Sequence, residues 1–106
     1  MPFGDSNTRG TLSEPAGGYR LPLQSLLDSI GCRYDFVGSQ TLHSAGMKDP
    51  EHEGIGGWQL LHLLNGHDEP SRNIRSYGAH YLMEHYHPDV ILLMAGVNDI
   101  FAGISG

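Results

Sequence analysis

Apolar positions along this chain follow two different spacings, and each predicts its own element. Leu23, Leu26, Leu27 and Ile30 fall at i, i+3, i+4 and i+7, the stripe of a helix turned to a core. Pro22 suits the first turn of that helix and Gly31 its end. Residues 33–37, Arg-Tyr-Asp-Phe-Val, are aromatic and β-branched and stop at Gly38-Ser39, which predicts a strand. Residues 90–94, Val-Ile-Leu-Leu-Met, form an unbroken apolar run, the pattern of a strand buried on both faces of a parallel sheet. Residues 59–64 suggest one or two helical turns. Ser71 reads as the N-cap of a longer helix to about residue 85, with Ile74, Tyr77, Tyr81, Leu82 and His85 on one face and Gly78 a weak point. Residues 11–17 and the polar stretch 40–56 read as loops, the second long enough to be functional or mobile.

Met1-Pro2-Phe3 completes the picture as the last residues of a first strand. The order strand, helix, strand, helix, strand predicts an α/β fold with a parallel sheet and right-handed crossovers. In such sheets the working site lies beyond the carboxyl ends of the strands. Two of those ends are polar, Gly4-Asp5-Ser6 and Gly96-Val97-Asn98-Asp99, and the loop from Gly54 to Trp58 can reach the same rim.

Composition narrows the partners. The net charge is −6 with only six Lys and Arg, so neither nucleic acid nor an anionic membrane is an expected partner. The single Cys32 rules out an intrachain disulfide. Seven histidines are present without a His-Glu-x-x-His or Cys/His cluster, so no metal and no cofactor is expected. No run approaches a membrane span and no signal peptide is visible.

Ser6, delivered by a strand end into a loop, is placed as a nucleophile would be, although Gly-Asp-Ser is also an ordinary surface turn. Asn98 offers a neutral amide donor at the end of a buried strand, or an Asx turn that caps the next helix. Asp5 fits a turn brace that holds Ser6, and Asp99 either a helix cap or a rim contact. Trp58 fits packing. Glu51-His52-Glu53 fits a cleft entrance or a solvated loop.

Gly4-Asp5-Ser6, a glycine ahead of Trp58, and Gly96-Val97-Asn98-Asp99, in that order, resemble the GDSL/SGNH hydrolase superfamily. Gly17-Gly18-Tyr19-Arg20, Asp35-Phe36-Val37-Gly38-Ser39, the stretch from Asp49 to Trp58 and Pro88-Asp89-Val90-Ile91-Leu92-Leu93 make the family 3 carbohydrate esterases, the acetylxylan-esterase-like branch, the most similar. The resemblance covers nearly the whole chain. It implies a flavodoxin-like three-layer α/β/α sandwich, here with about its first three strands in the order second, first, third. It implies a serine esterase that deacetylates carbohydrate, with Ser6 as nucleophile and the Ser6 N–H, the Gly57 N–H and the Asn98 side chain as the oxyanion hole. Secretion is the family's usual localisation.

The family takes its histidine and aspartate from an Asp-x-x-His motif near the C-terminus of a domain about twice this size. No such motif is expected at any position of the chain, and none of the seven histidines is assigned as the base. Residues 1–106 therefore read as the N-terminal portion of one domain, with the catalytic His/Asp pair expected from a second segment or chain. The other class that fits is a non-catalytic carbohydrate- or partner-binding remnant of the same fold.

Overall fold

The structure is a computed structural model that describes residues 1–103. Three short strands, β1 (Pro2–Gly4), β2 (Glu53–Gly54) and β5 (Leu92–Met94), form a parallel sheet in the order β2-β1-β5. Phe3 pairs with Glu53 on one side and with Leu93 on the other. Helices α1 (Ser6–Arg9), α2 (Arg20–Ser29), α3 (Leu60–Asn65), α4 (Ala79–Tyr86) and α5 (Val97–Phe101) connect and flank it. This is the α/β class expected, with the strands in the expected spatial order. Met1, Phe3, Ile55, Trp58, Leu63 and Leu82 form the core. Gly4 permits the tight β1–β5 approach, since a Cβ there would sit 2.0 Å from the Met94 carbonyl oxygen.

Four expectations are corrected. The second strand is Glu53–Gly54, inside the segment expected to be loop, and residues 33–37 form no strand. Side chains satisfy the backbone there: Phe36 N–H donates to the Asp49 carboxylate at 2.6 Å and Ser39 N–H to Glu53 at 2.6 Å. A buried backbone so paired needs no ladder.

The helix expected from Ser71 is instead an antiparallel hairpin, β3 (Gly66–Glu69) with β4 (Ile74–Tyr77), and only then α4. A 3-10 turn over Pro70–Arg72 and Asn73 at φ 51° make the tip; asparagine tolerates that left-handed conformation. In β4, Ile74 and Ser76 turn inward while Arg75 and Tyr77 are exposed, the alternation of a strand.

The leucine stripe of α2 is not a core stripe. Leu26 and Ile30 are exposed, Leu23 and Leu27 half-buried, and the residues that α2 buries are Arg20 and Gln24. The 90–94 run is not covered on both faces either: among the described residues β5 has β1 as its one neighbour in the sheet, and Leu93 is 61% exposed.

Candidate active site

Ser6 opens α1 immediately after β1. Asp5 is fully buried and caps this helix, its Oδ1 accepting Asn7 N–H at 2.9 Å, as an N-cap carboxylate does. The far end of α1 is fixed by Arg20, whose guanidinium is wholly buried. It donates to the carbonyls of Thr8 and Arg9 at 2.8 Å each, to those of His43 and Pro50, and to Ser44 Oγ. These contacts use all five of its N–H groups, so the short helix is clamped at both ends. Burial lowers the Arg20 pKa. Neither the periodicity nor the charge pattern singled out this residue. Its signal was an arginine in the first turn of an otherwise uncharged helix start.

The Gly57 loop is built as a tight turn. Ile55 N–H donates to Gly4 O at 3.0 Å, and Trp58 N–H closes back on Ile55 O at 3.2 Å. Gly57, third of the four turn residues, has φ +86°, which a side chain would strain. Trp58 is buried and donates its indole N–H to Ser76 Oγ at 2.6 Å, so the hairpin holds the loop from behind.

The Asn98-Asp99 pair then grips this loop from α5. Asn98 Nδ2 donates to Trp58 O at 2.9 Å, and the buried Asp99 carboxylate accepts Leu60 N–H at 3.1 Å. Asn98 thus does not cap its own helix, and Asp99 caps α3 from a neighbouring element. An amide carries two hydrogens. One of them fixes the Asn98 side chain on Trp58 O, which leaves the second oriented and available. Ser6 stands close to the same loop, its Cβ 3.9 Å from where a Cβ on Gly56 would lie.

The acidic-histidine cluster does not line a cleft. His52 and Glu53 are fully buried, and Glu51 is half-buried. Glu53 accepts from Ser39 N–H and Oγ, and burial raises its pKa. The expectation of no Asp-x-x-His is corrected: Asp49-Pro50-Glu51-His52 has that spacing. It is structural: His52 Nε2–H donates to Leu42 O at 2.8 Å and Nδ1 accepts Gly54 N–H at 3.0 Å. Burial, with Arg20 nearby, brings the His52 pKa down to about 4. The ring is neutral at pH 7 and has no nitrogen left for Ser6. His62 likewise spends Nδ1 on Gln59 N–H at 3.1 Å. The carboxylates of Asp35, Asp49 and Glu51 gather within 4.8 Å of one another, but Asp49 there is a backbone tether for Phe36.

No family model matches the chain. Its fold class is one found among solved esterases. The chain superposes with a TM-score of 0.77 on a Clostridium thermocellum family 3 carbohydrate esterase, at 32% identity over 99% of this chain and 46% of that one. It also superposes on an acetyl esterase mutant crystallised with an acetate ion, with a TM-score of 0.60 at 24% identity and the same coverage, which bears on fold alone. In sequence it is 34% identical, over 97% of its length, to a multidomain esterase of Ruminococcus flavefaciens, of which it spans 14%. The chain thus resembles the family 3 carbohydrate esterases nearly end to end, and spans less than half of the esterases it matches.

Proposed function

We propose that this chain carries the nucleophile and oxyanion elements of a serine ester hydrolase that deacetylates carbohydrate. Ser6 Oγ attacks the acetyl carbonyl and forms the new C–O bond, and its proton passes to a histidine supplied by a segment outside this chain. The carbonyl oxygen takes up the electron pair. As the carbonyl re-forms, the ester C–O bond breaks and the sugar oxygen leaves with the proton from that histidine. Water, giving a proton to the same histidine, then attacks the acetyl-serine, releases acetate and frees Ser6 Oγ. The Ser6 N–H, a first-turn amide without an intrahelical acceptor, the Gly57 N–H and the free Asn98 N–H stabilise the charged oxygen. The observation that carries this reading is the Asn98 amide, pinned on Trp58 O in the loop that also adjoins Ser6.

Kinetics on acetylated xylo-oligosaccharides test it, in protein that carries this chain together with the acid–base segment. Ser6→Ala is expected to abolish turnover. Asn98→Ala is expected to lower kcat by about 10²–10³ with a smaller effect on KM, because its donor acts in the transition state. A non-catalytic binding domain of the same fold would show no turnover for either substitution to change.

A further inference from the structure

The chain is acidic overall, yet three of its six cationic side chains, Arg9, Arg72 and Arg75, line a single cavity of about 410 Å³ with Gln40 and Asn73. Two of these arginines, Arg9 and Arg72, reach from the cavity toward the proposed nucleophile. Arg9 Nη1, Arg72 Nη2 and Ser6 Cβ lie 3.6, 3.7 and 3.9 Å from one point, the place a Cβ on Gly56 would occupy. A glycine there keeps the space between the serine and the two guanidinium groups open.

The charges in this cavity are unevenly matched. Arg72 pairs with Glu69 at 3.2 Å, donates to Gly56 O at 3.1 Å and lies over the Trp58 ring. Arg75 pairs with Asp68 at 3.6 Å. Arg9 has no ion pair among the described residues, and its Nε is buried without a hydrogen-bond partner. Two guanidinium groups brought together with one carboxylate between them leave a positive charge that an anion would relieve. The guanidinium fork matches the two oxygens of a carboxylate.

We propose that this cavity is a carboxylate subsite, which seats a uronic acid unit of the polysaccharide beside the acetylated sugar. It rests on the assignment of Ser6 above and narrows the substrate class to acidic, glucuronate-bearing acetylated glycans. Arg9 supplies the unpaired charge and Arg72 the second fork, placed over the Trp58 ring.

Binding of unacetylated probes tests this apart from catalysis. Titration calorimetry on the full protein compares a glucuronate-substituted xylo-oligosaccharide, its methyl ester and the neutral xylo-oligosaccharide. The acid is expected to bind about tenfold tighter than the other two, and Arg9→Gln to remove that preference while Arg9→Lys keeps part of it. Equal affinity of the unmodified protein for all three would overturn the subsite without relying on any variant. Displacement of the acid by inorganic sulfate as readily as by free glucuronate would overturn its assignment to a uronic acid. Should the acid be preferred while Ser6→Ala retains turnover, the subsite stands and the assignment of Ser6 as nucleophile fails. Should Ser6→Ala abolish turnover with no preference among the probes, the subsite alone fails.

Discussion

His52 is the residue whose environment departs furthest from what its neighbours in the sequence suggest. A histidine between two glutamates in a polar stretch reads as exposed, but residue patterning carries no sign of a strand only two residues long. Its imidazole bridges Leu42 O and Gly54 N–H in the neutral form, and protonation would break the second contact. With a folded pKa of about 4 against an ordinary 6.5, the unfolded chain binds the proton first. The His52 contribution is complete above pH 6.5 and lost as pH falls toward 4, roughly 3 kcal/mol in all. Glu53, raised by burial, acts in the opposite sense, favouring the fold at low pH and losing that contribution as pH rises through its folded pKa. The comparison that isolates His52 is denaturant unfolding of unmodified protein and His52→Gln across pH 4–7. Loss of stability on acidification is expected to be steeper in the unmodified protein; parallel profiles would mean that His52 titrates normally.

Elements were legible where one pattern governed them. The 59–64 turn and the 90–94 strand follow from apolar runs, and the strand ends that carry Ser6 and Asn98 follow from the glycine-polar breaks beside them. The α2 stripe misled because the helix is fastened by a buried arginine rather than by leucines. The hairpin misled because Ile74 and Tyr77 have helical spacing, while the inward Ser76 that holds Trp58 is polar and leaves no apolar alternation to read. Arg20 is the clearest test at this scale. Arg20→Lys keeps the charge but cannot reach all five acceptors, and leaves buried carbonyls of α1 and of the 43–50 loop unpaired. A stability loss on the order of 2–4 kcal/mol is expected by denaturant unfolding. A loss below about 0.5 kcal/mol, the level of an ordinary surface substitution, would show that the clamp does not hold the helix.

At the scale of the whole molecule, the sheet has an open side. Among the described residues β5 pairs with β1 alone, and around it Val90, Leu93, Ile100 and Phe101 are 64%, 61%, 73% and 81% exposed. An unpaired strand edge beside apolar surface of this kind invites association. The esterases matched in structure are about twice as long as this chain. Residues 1–106 alone are expected to be marginally stable or to aggregate, and to hydrolyse acetyl esters far more slowly than a completed domain. A second segment that extends the sheet beyond β5 is expected to restore both properties, in cis or as a separate chain. Sizing, thermal melting and an acetyl-ester assay check this together, and a stable, cooperative, fully active monomer of the 106 residues would exclude the need for that segment.

The central claim is that Ser6 is the nucleophile, and it is tested most directly by covalent capture. Protein completed with the acid–base segment is treated with a reactive phosphonate, and the adduct is located by intact-mass and peptide mass spectrometry. The account predicts one adduct per chain on Ser6, slowed by Asn98→Ala and absent from Ser6→Ala. An adduct on another residue, or ester hydrolysis that survives in Ser6→Ala, would contradict it.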